Sequence, residues 1–175
     1  MIHNDGMTSK RKATLTTPAG NLTEAELQLV IGYQIAQASV VVSRIYEKAI
    51  AAKLGLHRLE YSILMLLREN PHCTASSLAK ALNVSTPNIA LWLDRIISKG
   101  LLARVPNAAD RRSNHLRLTD QGVAVVEQAT RTILAAEEAT LSTLSFGERI
   151  ILAELLHKVA ACRGVVVPDD TPLGA

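Results

Sequence analysis

The residues best suited to chemistry in this chain are basic, and they are bunched. Between Arg95 and Arg117 stand Arg95, Lys99, Arg104, Arg111, Arg112 and Arg117 against one acid, Asp110, a net +5 in 23 residues that leaves −2 for the rest of the chain. A cationic focus on a near-neutral body suits phosphate, although a solvated basic surface has the same composition. Asp110 and Arg112 are two residues apart, and alternation along an extended strand puts both on one side. There the carboxylate can aim the guanidinium through a bidentate hydrogen-bonded pair, as an arginine entering a narrow minor groove requires. Bond-making chemistry is not indicated. The sequence has no nucleophile–base pair, no Gly-rich phosphate loop, no paired carboxylates at working spacing and no His/Cys/Asp/Glu cluster at metal-ligand spacing, so no catalytic residue, metal or cofactor is expected. The two cysteines, Cys73 and Cys162, read as free thiols without a redox role.

The elements that must carry these residues are mainly helical. The chain is 48% hydrophobic, yet its only aromatic residues are Tyr33, Tyr46, Tyr61, Trp92 and Phe146, so the core is aliphatic. Residues 1–22 read as a flexible tail, with Lys10, Arg11 and Lys12 solvated. Thr23 and Glu26 have capping-box spacing, and a helix is predicted from there to about Lys53, with Leu27, Val30, Ile31, Ile35, Ala38, Val42, Ile45 and Ala49 on one face. A helix of that length overshoots a small globule, which suggests a partner chain. Further helices are predicted over Leu59–Arg68, from a cap at Thr74 to Leu82, from a cap at Ser85 to Lys99, from Thr119 to about Leu144, and from Ser145 to Ala161. Residues 165–175 read as a second flexible tail. No stretch has the roughly 20 apolar residues of a membrane span, and the N-terminus lacks a signal-peptide core, so the expected location is the cytoplasm with no membrane partner.

Between the third and fourth of these helices, Asn83 supplies a turn. After Gly100, Leu101–Val105 and His115–Leu118 flank a polar loop and read as a hairpin. The expected fold class is therefore mainly α with a small β-hairpin wing: a winged helix-turn-helix over residues 55–118, flanked by dimerisation helices at 23–54 and 119–164. In such a module the second short helix enters the major groove.

The stretch Leu93–Asn107, continuing through Asp110-Arg111-Arg112 to Leu116-Arg117-Leu118-Thr119 and Gly122, resembles the MarR family (multiple antibiotic resistance regulators). The resemblance extends from about Thr23 to Ala161. It implies a triangular homodimer that represses pseudo-palindromic operators on double-stranded DNA and is released by a small effector, often a phenolic or aromatic acid. Where family members commonly carry Thr-Arg on the recognition helix, this chain has Ala90 and Leu91. The expected DNA contacts are Ser85, Thr86, Pro87, Asn88, Leu91, Arg95, Asp110, Arg111 and Arg112. Thr86 and Asn88 would hydrogen-bond bases and Leu91 would meet thymine methyls. Arg95 reads either as a phosphate contact or as a partner for Asp94 or Asp110, and Trp92 reads as core. Arg44, Tyr46, His57, Arg58 and His72 are the candidates for effector binding. The apolar Ala90 and Leu91 also motivate an alternative, a winged-helix protein-interaction module without sequence-specific DNA binding.

Overall fold

The computed structural model describes residues 16–106 and 114–164. The first described segment does not form the predicted helix start. Thr16 bridges Thr23, and a short 3-10 helix runs over Ala25–Leu29. Helix α1 (Ile31–Tyr46) then begins at Val30, which offers no side-chain cap. The Thr23–Glu26 capping box is absent because Thr23 is held in the bridge. Its neighbour Glu24 is buried and accepts the Tyr33 hydroxyl at 2.9 Å. Residues 16–22 of the expected tail thus carry a bridge and a turn, and residues 1–15 lie outside the described residues.

Past Tyr46 the helix widens into a π turn (Glu47–Ala51) and closes with one α turn, α2 (Ala52–Leu54), at Gly55. Helix α3 (Arg58–Glu69) follows, then α4 (Ala75–Leu82) and α5 (Thr86–Ser98). Thr74 caps α4 by accepting the Ser77 N–H at 3.1 Å. Asn83 makes the turn in the left-handed region at φ 53°, a conformation its short polar side chain tolerates.

Strands β1 (Leu102–Pro106) and β2 (Asn114–Leu118) pair antiparallel, with Leu102 opposite Leu118 and Arg104 opposite Leu116. The hairpin is tied to the helices at its base. Thr119 Oγ1 donates to the Gly100 carbonyl at 2.7 Å and accepts the Gly122 N–H at 3.0 Å, which caps α6 (Asp120–Thr140). Gly122 has no alternative there, since a Cβ would lie 2.0 Å from the Leu101 carbonyl oxygen. A capping box of Ser145 and Glu148 opens α7 (Phe146–Ala161), as expected from the sequence.

One core joins the π turn, α3, α4, α5, the wing base and α6. Ile50, Leu56, Ile63, Leu64, Leu78, Ile89, Ile96, Leu102 and Val126 are fully enclosed in it. Each such side chain contributes about 1.5–3 kcal/mol on leaving water. The outer helices differ. Helix α7 buries none of its residues, with Phe146, Ile150, Ile151, Leu155 and Leu156 exposed, and α1 exposes Ile35, Val40, Val41 and Val42. Among the described residues, no helix is long and apolar enough to cross a membrane.

Candidate nucleic-acid interface

Helix α5 buries Ile89, Leu93 and Ile96, spaced by four and three, and so turns its other face outward. Ser85, Thr86, Pro87, Asn88, Leu91 and Arg95 are all exposed, Leu91 at 64%. Ser85 occupies the N-cap position without the expected side-chain hydrogen bond, and Pro87 sits in the first turn. The first-turn N–H groups therefore meet no side-chain cap, which is the arrangement that accepts a phosphate oxygen.

The charges on this face are partly spent internally. Arg104 on β1 donates to Asp94 Oδ1 at 2.8 Å, which ties the wing to α5 across an exposed pair. Lys99, at the end of α5, reaches the other way. Its Nζ donates to both carboxylate oxygens of Glu60, at 2.7 and 2.6 Å, and to the Gly55 carbonyl at 2.9 Å. Glu60 is 1% exposed, and its Oε2 also accepts the His57 N–H at 2.8 Å. Two of the six positive residues in the basic run are thus neutralised within the fold. Of the partners expected for Arg95, Asp94 instead pairs with Arg104, and the Arg95 guanidinium lies over the Trp92 ring, 5.0 Å from its centroid. Asp110, Arg111 and Arg112 lie outside the described residues.

Trp92 is half-buried against the core, and its ring also stacks on His57, with centroids 4.6 Å apart and planes 21° apart. His57 is the N-cap of α3, where its Nδ1 accepts the Leu59 N–H at 3.2 Å. It helps to line a cleft of about 320 Å³ with Tyr46, Glu47, Ala51 and Arg58. The π turn sets this wall by placing Glu47 and Ala51 beside the α3 start. The Arg58 guanidinium lies 5.5 Å from the Tyr46 ring centroid, and the Tyr46 hydroxyl donates to the Leu56 carbonyl at 3.2 Å. Burial, reinforced by Tyr61, pushes that hydroxyl well above its ordinary pKa against the opposing pull of Arg58, so it stays a neutral donor.

Of the five residues expected to bind an effector, the structure brings together Tyr46, His57 and Arg58. Arg44, two residues before Tyr46 on α1, is exposed and does not line this cleft. His72 follows α3 at its far end, where it meets His115 edge-on at 6.0 Å. The part played by Glu60 escaped the sequence reading, although the N-cap/N3 spacing of His57 and Glu60 was a usable signal. Its pairing with Lys99 had no local signal.

A family model described as MarR family matches residues 56–113. The HTH-type transcriptional regulator PecS of Dickeya dadantii (strain 3937) is 32% identical over 139 residues, covering 78% of this chain and 82% of that protein. The structure of the transcriptional repressor CouR bound to a 23-mer DNA duplex matches with a TM-score of 0.71 and 30% identity, over 81% of this chain and 99% of that one. Bordetella bronchiseptica BpsR, whose DNA binding is regulated by 6-hydroxynicotinic acid, matches with a TM-score of 0.64 and 25% identity, over 74% of this chain and 92% of that one.

Proposed function

The chain belongs to the MarR family, a family of transcriptional regulators and not of enzymes, and on that premise we propose that it is a homodimeric repressor of pseudo-palindromic DNA, released by a small aromatic or phenolic acid. The observation that carries the DNA reading is the outward face of α5, with Thr86, Asn88, Leu91 and Arg95 exposed beside a hairpin anchored to the same helix. Thr86 and Asn88 supply hydrogen bonds to base edges, Leu91 meets a thymine methyl, and Arg95 reaches phosphate. Arg112, aimed by Asp110, takes the minor groove. The CouR–duplex complex supports this use of the fold.

The uncovered apolar faces of α1 and α7 support the dimer, because helices that bury little in one chain gain their stability from a second. Two recognition helices about 34 Å apart then meet successive major grooves. The cleft of Tyr46, His57 and Arg58 offers a cation and aromatic walls to a carboxylate-bearing ring, and the regulation of BpsR by an aromatic acid supports that class of effector. An effector that prefers another separation of the two lobes lowers DNA affinity by its differential affinity for the two states.

Arg112→Ala and Asn88→Ala test the reading in gel shifts with a duplex from the region upstream of the protein's own gene. Arg112→Ala weakens binding severalfold on any duplex, whereas Asn88→Ala selectively erodes preference for the operator over a scrambled duplex. Unchanged affinity in both variants refutes the assignment and leaves the exposed Leu91 to a protein-binding role.

A further inference from the structure

The effector cleft and the DNA-facing helix share one side chain. His57 lines the cleft, and its ring stacks on Trp92, the only tryptophan of the chain. Trp92 in turn lies under the guanidinium of Arg95 on the exposed face of α5. An arginine side chain has several rotatable bonds, and an aromatic face at this distance attracts its cation and narrows its range. The indole is itself held by the imidazole, since planar rings 4.6 Å apart make a close stacked contact. His57 is anchored by a different interaction, its role as N-cap of α3. The ring position is therefore set by α3 and the cleft, while its consequence falls on α5.

We propose that His57 is a positioning residue for the Arg95–DNA contact, acting through Trp92, and that this stack carries cleft occupancy to the recognition helix. The proposal rests on the DNA-binding reading above and adds the route by which the cleft regulates it. An aromatic acid drawn to Arg58 competes with Trp92 for the His57 ring. Loss of the stack leaves the indole held only by its core side and loosens Arg95 over it, so phosphate contact weakens while Thr86, Asn88 and Leu91 keep their places.

Two substitutions separate the cap from the stack. His57→Ser keeps a strong N-cap acceptor and removes the ring, while His57→Phe keeps a ring and removes the acceptor. In the full chain, His57→Ser lowers affinity for the upstream duplex about three- to tenfold with little change in Tm, in the range of coupling through packed contacts. His57→Phe lowers Tm and leaves affinity near wild type. Trp92→Leu matches His57→Ser in affinity, with a lower Tm from its lost core packing. In an Arg95→Ala background, His57→Ser has no further effect, because the residue it positions is gone. Emission from Trp92 shifts in His57→Ser and is retained in His57→Phe.

The proposal is overturned if His57→Ser and Arg95→Ala multiply independently, if Arg95→Ala alone leaves affinity unchanged, or if affinity follows Tm across the His57 variants. A wild-type protein that binds no duplex would instead sink the repressor reading beneath it, whereas normal wild-type binding with independent effects sinks only the coupling.

Discussion

Lys99→Ala is expected to be among the most damaging single changes on the surface of this protein. Lys99 is 39% exposed at its side chain and would pass for a solvated lysine, but its ammonium is the partner of a carboxylate that is almost wholly enclosed. Among the described residues, removing it leaves Glu60 with the His57 N–H as its one donor, and leaves the Gly55 carbonyl without its side-chain donor. Breaking a buried pair from one side costs about 3–5 kcal/mol, and the half-open lysine end lets water offset part of that, so about 2–4 kcal/mol is expected. For a chain of this size that lowers Tm by about 4–16 °C. Glu60→Gln should cost less, because the amide can still accept from His57, and the Lys99→Met/Glu60→Leu double variant should recover much of the loss by leaving no charge buried. Urea unfolding at fixed protein concentration measures all three; fixing the concentration matters because the proposed dimer would feed into apparent stability. A Lys99→Ala variant within about 0.5 kcal/mol of wild type, the range of ordinary surface substitutions, would refute the reasoning.

Three further outcomes follow from single contacts. Gly122→Ala drives a Cβ into the Leu101 carbonyl, so Tm should fall steeply; an unchanged melting curve would mean that the wing base is not held as described. Leu155→Glu on the uncovered face of α7 should convert the proposed dimer to monomer in light scattering without unfolding α3 to α5, whereas a dimer of undiminished affinity would contradict the use of that face. Glu148 accepts the N–H and hydroxyl of Ser145, which hold its carboxyl below the ordinary value of 4.5. Its contribution is thus fully present above that value and lost as pH falls through the lowered one, so the stability gap between wild type and Glu148→Gln should close on acidification and not on moving toward alkaline pH.

Local patterns made much of this fold legible. Thr74, Asn83, Thr119 and the Ser145–Glu148 pair mark helix boundaries by their own chemistry, and the alternation of His115, Leu116, Arg117 and Leu118 marks β2. The face of α5 could be drawn from the spacing of Ile89, Leu93 and Ile96. What escaped depends on tertiary neighbours. Thr23 has the right residue type for a cap but is drawn into a bridge with Thr16, and the buried Glu24 displaces the helix start. The π turn after Tyr46 has no glycine or proline to announce it. Lys99 and Glu60 are 39 positions apart, and Trp92, expected simply as core, meets His57 from a different helix. The basic run was visible, but its partial neutralisation by Glu60 and Asp94 was not.

The most direct test of the account is a salt series of fluorescence anisotropy titrations with the full chain and a labelled duplex from its upstream region. The account predicts saturation at two chains per site, clear preference over a scrambled duplex, and affinity falling by roughly a thousandfold or more between about 50 and 200 mM salt if six or more phosphates are engaged. Equal affinity for both duplexes, or no binding at the lowest salt, would contradict it.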